Sequence, residues 1–270
     1  MPSSRREFLN LVAGTAATGL LVSSPMAMTA SCVAEDRPAA PPRATRPKIK
    51  AVAFDAFPIF DPRPVFARAE VLFPGKGAEL SNAWRTRQFE YAWLRVVSQR
   101  YADFWRVTEN ALVFAANMLK LDLEREKRAQ LMETYLKLKA WPDVPPALRA
   151  LKAAGIRLAL LSNFTPRMLD ACIESSGLVG EFERVLSTDQ VRTYKPDPRA
   201  YQLAIDAFGL EREEILFVPF AGWDAAGAGW FSYPTFWVNR LALPVEELGV
   251  SPDAAGGTLS DLVDYVTPGH

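Results

Sequence analysis

The sequence predicts an α/β fold, with a Rossmann-like parallel sheet core and an inserted helical cap. Three observations predict it: short apolar runs recur along the chain, amphipathic helical patterns separate them, and one long stretch contains helical signals only. Apolar runs without polar alternation are typical of strands that helices cover on both faces. With 270 residues, 49% of them hydrophobic and 23% charged, the chain can bury such a core without disulfide bonds.

The strand and helix signals follow one another in a regular order. The apolar runs predict strands at residues 51–54, 156–161, 184–186, 215–218 and 235–238. Helical periodicity between them predicts helices at residues 145–154, 167–176, 198–208 and 223–230. This alternation favours a parallel sheet, and such a sheet binds its ligands at the carboxyl ends of the strands.

Residues 63–140 interrupt the alternation directly after the first strand. They contain no strand signal, and their periodicity predicts helices at residues 64–72, 80–101, 108–119 and 124–139. A helical block inserted at this point predicts a cap over the end of the first strand. The core is then expected at residues 51–62 and 141–270. The aromatic face of the cap either covers the core or forms the interface of a homodimer, and it comprises Trp84, Phe89, Tyr91 and Trp93.

The first fifty residues differ from the rest of the chain. The Arg5-Arg6 pair precedes an uncharged run of small and apolar residues at 11–28. This pattern resembles a twin-arginine signal peptide, expected at residues 1–31, and it implies the twin-arginine translocase as a partner and a periplasmic or secreted location. A transmembrane anchor is the alternative, but the run is short and weakly apolar for a span. A Pro/Ala-rich tether is expected at residues 32–50.

Cys32 offers a second route to the membrane. It follows the small residues Ala30 and Ser31, which resembles a lipoprotein cleavage box and would make Cys32 the site of a lipid anchor. The usual leucine of that box is absent. The alternative is simple cleavage near Ala30, which leaves Cys32 in the tether.

Charge and histidine counts exclude several function classes. Lys and Arg number 31 and Asp and Glu also number 31, so no basic excess indicates nucleic-acid binding. The single histidine, His270, stands at the end of the chain, which excludes catalysis by a histidine base and most zinc sites. Any catalysis therefore falls to carboxylates, lysine, arginine, tyrosine or serine.

Polar and charged residues recur where the predicted strands end. Asp55 follows the first strand, Ser162 and Asn163 close the second, Lys195 stands at the start of a helix, and Asp224 follows the fourth strand. Each alone fits a helix cap or a turn, although a cation at a helix start opposes the helix dipole. Because all of them fall at the carboxyl edge of one sheet, the sequence predicts a site there.

The order of these motifs resembles the haloacid dehalogenase superfamily, and within it the L-2-haloacid dehalogenases (haloacid dehalogenase type II). The resemblance covers about residues 50–240. The helix with Arg85 is its specific signal, and without the resemblance Arg85 would be interpreted as a surface arginine. The motifs that carry it are Phe54-Asp55-Ala56-Phe57, Trp84-Arg85-Thr86-Arg87-Gln88, Leu161-Ser162-Asn163, Tyr194-Lys195-Pro196-Asp197, Tyr201 and Trp223-Asp224-Ala225.

This resemblance implies the hydrolysis of a short 2-haloalkanoic acid, a small halocarboxylic acid, to a 2-hydroxy acid. Asp55 would attack the halogen-bearing carbon and form an ester. Arg85 would stabilise the leaving halide, and Lys195 would keep Asp55 ionised. Asp224 would help to activate the water that hydrolyses the ester. The substrate-binding residues that the resemblance implies are Ala56, Phe57, Ser162, Asn163, Tyr201 and Trp223.

A metal-dependent phosphatase of the same superfamily is one alternative. Such an enzyme carries a second Asp two residues after the nucleophile, and here that position is Phe57. It also carries a second acidic residue shortly before the last Asp, where this chain has Pro219-Phe220-Ala221-Gly222. Single carboxylates at these places would hold Mg²⁺ poorly, so the sequence predicts no metal ion and no other cofactor.

A non-catalytic relative is the other alternative. The family usually has Gly-Thr-Leu after the nucleophile, and this chain has Pro58-Ile59-Phe60. The Ser-Ser-Asn-Ala stretch that usually precedes the Trp-Asp pair is replaced by Pro219 through Gly222. These changes remove hydroxyl and amide groups from the pocket, so ester hydrolysis is the step that they threaten most.

Overall fold

The computed structural model describes residues 48–268, which belong to one compact unit. The predicted signal peptide, Cys32, most of the predicted tether and His270 lie outside the described residues. Within the described residues, none of the helices is long and apolar enough to cross a membrane.

A four-stranded parallel sheet forms the centre of the fold. Its strands are β1 (Ala51–Phe54), β2 (Arg157–Ser162), β3 (Arg184–Ser187) and β4 (Ile215–Val218), in the order β3-β2-β1-β4. Phe54 at the end of β1 lies opposite Leu160 and Val218. The carboxyl ends of β1 and β4 are therefore level, and β2 extends two residues further, to Ser162. The parallel sheet confirms the predicted α/β fold.

Two more strands extend the structure beside β4. Strand β5 (Phe236–Val238) pairs in parallel with β6 (Ala254–Gly256), and an isolated bridge joins Phe217 of β4 to Thr235. The sequence predicts β5 from its apolar run. It does not predict β6, because Ala-Ala-Gly has no apolar run of strand length.

A block of helices follows β1. The short helix α1 (Ala56–Ile59) begins at the N-cap residue Asp55. Residues 63–134 then form α2 (Arg63–Leu72), α3 (Gly77–Val97), α4 (Phe104–Met118) and α5 (Arg125–Thr134). The boundaries expected for core and cap, at residues 62/63 and 140/141, stay a prediction.

The remaining helices cover the sheet. They are α6 (Val144–Ala153), α7 (Pro166–Ser176), α8 (Pro198–Phe208), α9 (Gly222–Trp230) and α10 (Leu259–Val266). Alternate residues of β1 enter two different apolar clusters, Val52 and Phe54 on one face and Ala51 and Ala53 on the other. Because helices cover both faces, the strands are apolar throughout, as their sequences indicate.

Aromatic side chains join the helical block to the sheet core. Trp84 of α3 is buried within the helical block itself, where its Nε1 donates to the Thr108 carbonyl of α4, 2.8 Å away. The rings of Phe89 and Trp93 lie 5.2 and 5.5 Å from the ring of Trp223 in α9. Most of the predicted aromatic face thus packs inside the unit, and the homodimer stays a prediction.

Candidate active site

Asp55 lies at the carboxyl end of β1, where its backbone N–H donates to the Val218 carbonyl of β4. Its side chain is 13% exposed. One carboxylate oxygen, Oδ2, accepts a 3.3 Å bond from the backbone N–H of Phe57, which caps α1. The other, Oδ1, accepts from the Lys195 ammonium. Hydrogen-bond donors therefore hold both oxygens in a fixed orientation.

Lys195 bridges two carboxylates. Its Nζ lies 2.8 Å from Asp55 Oδ1 and 2.6 Å from Asp224 Oδ2, and the side chain is only 1% exposed. The ammonium also lies 4.9 Å from the centre of the Phe217 ring, which favours the cation. The Asn163 side-chain oxygen accepts from the Lys195 backbone N–H at 3.0 Å and fixes the main chain there.

Asp224 stands in the first turn of α9, behind Lys195. Its Oδ1 accepts a 2.7 Å bond from the Tyr201 hydroxyl, while its Oδ2 accepts from Lys195. Tyr201 is fully buried and reaches Lys195 only through Asp224. Its own backbone carbonyl accepts from the Tyr233 hydroxyl, so the network continues into the core. The carboxylate of Asp224 is thereby fixed in orientation.

Burial and mutual charge set the protonation of this network. Burial raises the pKa of Asp224 to about 6, against the opposing effect of Lys195. Burial alone lowers the pKa of Lys195, but the charges of Asp224 and Asp55 together raise it above its usual value. Burial, with the charge of Asp224 added, raises the pKa of Tyr201 well above its usual value. Lys195 and Tyr201 therefore keep their protons through the pH range in which Asp224 titrates.

A small apolar cavity lies between α3 and the segments that follow β1 and β4. None of Asp55, Lys195, Asp224 and Tyr201 lines it, but Phe57, whose N–H bonds to Asp55, does. Its volume is about 90 Å³, which suits a small molecule rather than a polymer. Phe57, Phe220 and Ala221 line it from the core side, and Arg85 lines it from α3. Arg85 makes no hydrogen bond or ion pair within residues 48–268. Its guanidinium is thus available to an anion in the cavity.

Comparison with known proteins shows the family of this chain. A family model described as haloacid dehalogenase-like hydrolase matches residues 49–228. The chain belongs to this family of hydrolases. Within the haloacid dehalogenase-like hydrolases it is 46% identical, over 206 residues, to the (S)-2-haloacid dehalogenase of Pseudomonas sp. (strain YL), covering 76% of this chain and 89% of that relative. The predicted resemblance to L-2-haloacid dehalogenases is confirmed.

Solved structures of haloacid dehalogenases share the fold. A crystal structure of an L-2-haloacid dehalogenase matches with a TM-score of 0.80 and 47% identity, covering 81% of this chain and 99% of the other. An L-2-haloacid dehalogenase from Xanthobacter autotrophicus, with chloropropionic acid covalently bound, matches with a TM-score of 0.76 and 33% identity. That match covers 82% of this chain and all of the other.

The structure divides the residues that the sequence singles out into two groups. Asp55, Lys195, Asp224 and Tyr201 form one hydrogen-bonded chain. Arg85 and Phe57 form the second group, because both line the cavity. The roles that the resemblance implies for these residues stay predictions at this point.

The other residues predicted to bind substrate lie off the lining of this cavity. Ser162 ends β2, is buried, and its Oγ accepts from the Phe164 N–H at 3.3 Å. Ala56 is buried in α1. Asn163 holds the Lys195 main chain, as described above. Trp223 packs on α3, and its buried Nε1 has no hydrogen-bond partner within residues 48–268, so it keeps a free donor near the site.

Several cavity residues escape prediction from the sequence. Gln88 and Tyr135 line the cavity from the helical block, and Trp141 and Leu241 line it from the core side. Gln88 follows Arg85 by three residues, so helical spacing alone places both on one face of α3. The sequence offers no comparable signal for Leu241, which lies in an irregular loop.

Within residues 48–268, no group of three or more His, Cys, Asp or Glu side chains is placed to hold a metal ion. The two carboxylates that face each other, Asp55 and Asp224, share the Lys195 ammonium instead.

Proposed function

We propose that this chain is a hydrolytic dehalogenase that converts a short 2-haloalkanoic acid to a 2-hydroxy acid through an ester on Asp55. The observation that carries the proposal is the Lys195 ammonium between Asp55 and Asp224, beside a cavity that presents Arg85. The 46% identity to an (S)-2-haloacid dehalogenase supports the same reaction. The enzyme is accordingly a hydrolase that acts on carbon–halide bonds.

The first step forms the ester. A carboxylate oxygen of Asp55 bonds to C2 of the substrate, and the carbon–halogen bond breaks with its electron pair leaving on the halide. The Lys195 ammonium, 2.8 Å from Oδ1, places a positive charge beside the nucleophile and orients it. Arg85 stabilises the departing halide in a cavity whose other walls are mostly apolar, where fixed charge acts strongly. Ser162 and the N–H groups of Ala56 and Phe57 are proposed to hold the substrate carboxylate.

The second step hydrolyses the ester. Water adds to the Asp55 carbonyl carbon and gives a proton to Asp224, and the bond between that carbon and the product oxygen then breaks. The 2-hydroxy acid takes up the proton from Asp224 as it leaves. The second proton of the water remains on the Asp55 carboxyl and passes to solvent, which restores both carboxylates. Asp224 is almost completely buried, and Phe57 and Phe220 form the nearby wall. We therefore propose that ester hydrolysis is the slower of the two steps.

The phosphatase alternative has weaker support. Relatives at 46% and 34% identity are named (S)-2-haloacid dehalogenases, not phosphatases. Phe57 packs against Phe164 and Phe220, at ring distances of 5.3 and 5.9 Å, where a phosphatase would place its acid/base Asp.

Halide release from (S)-2-chloropropionate in the presence of EDTA tests the proposal. Release with EDTA present supports the dehalogenase, whereas EDTA-sensitive phosphate release from a generic phosphate ester would support the phosphatase. Neither activity from a folded protein would indicate a non-catalytic relative. Intact-mass measurement adds a further distinction, because an adduct that accumulates on Asp55 shows that the ester forms and hydrolysis lags.

We expect ester hydrolysis to slow toward acid, with the decline below about pH 6. Burial raises the pKa of Asp224 to about 6 in the free enzyme, where the charge of Asp55 also contributes. The ester removes that charge, so the pKa of Asp224 lies lower in the intermediate, and its carboxylate takes up a proton only as the pH falls further. Lys195 and Tyr201 do not change charge in this range. The decay rate of the mass adduct, followed against pH, checks this, and decay that speeds up toward acid would contradict it.

Export through the twin-arginine translocase, to the periplasm or beyond, is part of the proposal. Its support is the Arg5-Arg6 pair ahead of the apolar run at residues 11–28. We expect the full-length chain to reach the periplasmic fraction and a variant with both arginines changed to lysine to stay in the cytoplasm. Equal partition of the two forms would contradict export by this route. Recovery in the membrane fraction would instead favour a lipid anchor at Cys32.

A further inference from the structure

The loop between β5 and β6, residues 239–253, contributes one wall of the cavity. Leu241 of this loop lines the cavity with Phe57, Phe220 and Arg85, although it is far from all three in sequence. Leu241 is 53% exposed. Leu241 therefore stands at the rim, with one side toward the cavity and the other toward solvent.

Neighbouring residues fix the loop at this position. Arg240 is 8% exposed, and its Nη2 donates to the Pro58 carbonyl and to Asp143 Oδ2, both at 3.0 Å. Its guanidinium also lies 4.5 Å from the ring centre of Trp141, itself a cavity residue. Because Pro58 directly follows Phe57, this anchor ties the loop to the segment after the nucleophile.

A second anchor follows Leu241 on its other side. The Asn239 side chain donates from Nδ2 to the Leu243 carbonyl at 2.7 Å and accepts from the Leu243 N–H at 3.0 Å. Ala242 adopts a left-handed backbone conformation with φ of 49° inside this turn. The backbone on both sides of Leu241 is thus held by bonds that do not involve the Leu241 side chain, so that side chain is free to vary without moving the loop.

The remaining cavity walls set the chemistry of what Leu241 can contact. Arg63 and Arg85 are the charged residues that line the cavity, and Arg63 is already paired with Asp61 at 2.6 Å. The rest of the lining is mostly apolar or aromatic. An anionic or halogen-bearing end of a ligand therefore suits Arg85, and an alkyl group suits the wall that Leu241 completes.

We propose that Leu241 is a specificity-determining residue that contacts the alkyl group on C2 of the substrate. It then favours 2-haloacids with an apolar chain, such as 2-bromobutyrate, over bromoacetate, which has no such group. This inference rests on the proposed dehalogenase function. It assigns a substrate preference to a rim residue that takes no part in the chemical steps.

The test compares Leu241→Ala with the matched variant Leu243→Ala. Both leucines lie on the same loop and are about equally exposed, at 53% and 48%, but Leu243 does not line the cavity. The measurement is the ratio of kcat/KM for (S)-2-bromobutyrate to kcat/KM for bromoacetate. We expect Leu241→Ala to lower this ratio about fivefold to tenfold, because removing methylene contacts from a hydrophobic pocket changes discrimination on that scale. Leu243→Ala keeps the native ratio.

The outcomes separate this inference from the proposed function. If the native enzyme releases halide and Leu241→Ala keeps the native ratio, the specificity role of Leu241 is wrong and the dehalogenase function stands. An equal drop in both variants also overturns the role, since it reflects the loop as a whole. If the native protein releases halide from neither substrate, the proposed function fails, and the role of Leu241 with it.

Discussion

The Asp55→Asn variant is expected to release halide from 2-chloropropionate at least about a thousandfold more slowly than the native enzyme. An amide is a far weaker nucleophile than a carboxylate, so the ester cannot form at a useful rate. The fold should survive, because the asparagine oxygen can still accept the 2.8 Å bond from Lys195 and Lys195 keeps Asp224 as its counter-charge. Intact-mass measurement after mixing with substrate should show no adduct.

Asp197→Asn provides the matched control for this variant. The Asp197 side chain is 13% exposed, as is that of Asp55, and it caps α8 and pairs with Arg199 at 2.6 Å. Asparagine caps a helix about as well as aspartate, so this variant should stay folded and keep native halide release. Halide release by Asp55→Asn at the rate of the control would rule out Asp55 as the nucleophile.

The sheet could be predicted from sequence because its signals are local. The strands β1 and β4 are four-residue apolar runs that are buried throughout, and the structure places both at the residues predicted. The helix ends in the structure differ from the predicted ends by a few residues. The predicted second cap helix extends to residue 101, whereas α3 ends at Val97, since helical periodicity does not fix where fraying begins.

The hydrogen-bonded part of the site could also be predicted, for a geometric reason. Asp55 and Asp224 follow adjacent parallel strands, so the sheet itself brings them to one edge, where Lys195 lies between them. The partner of Tyr201 could not be predicted, because it depends on how α8 and α9 pack. The resemblance implies Tyr201 as a substrate-binding residue, whereas in the structure its hydroxyl donates to Asp224.

The cavity rim is the part that sequence could not supply. Leu241 reaches the cavity because Arg240 pairs with Asp143, 97 residues earlier in the chain, and with the Pro58 carbonyl, 182 residues earlier. Contacts between residues so far apart in the chain leave no periodic pattern in the sequence from which they could be predicted. An irregular loop with exposed leucines is equally consistent with a plain surface loop, and only the folded structure distinguishes the two cases.

Lys195→Met is expected to have the largest effect on stability. Methionine fills a similar volume, but it leaves the buried carboxylates of Asp55 and Asp224 facing each other without a counter-charge. Removing one partner from a buried ion-pair network costs about 3–5 kcal/mol in the free energy of unfolding. Urea unfolding of the variant and the native protein measures this loss of free energy. Lys152→Met is the control, because Lys152 is 44% exposed and pairs with Glu181 at the surface, where such a pair contributes about 1 kcal/mol or less.

The unfolding free energy that Lys195→Met loses should also depend on pH in a defined direction. Without the ammonium, burial and the charge of Asp55 still raise the pKa of Asp224 in the folded state above its unfolded value. The folded protein then binds a proton that the unfolded chain releases, so the lost stability returns as the pH falls and is greatest at neutral pH and above. A deficit that grows toward acid would contradict this account.

A second substitution separates the structural role of Lys195 from its catalytic role. Adding Asp224→Asn to Lys195→Met removes one of the two unpaired charges, so the double variant should regain much of the unfolding free energy. Halide release in the first turnover does not need Asp224, so it isolates the effect of Lys195 on Asp55, and Asp224→Asn alone is the control. We expect a first-turnover burst of halide from Asp224→Asn and none from the double variant, because Asp55 there lacks its neighbouring cation. Recovery of stability with a burst like that of the control would mean that Lys195 acts only as a structural counter-ion. Recovery of stability without a burst would assign Lys195 to the control of the nucleophile.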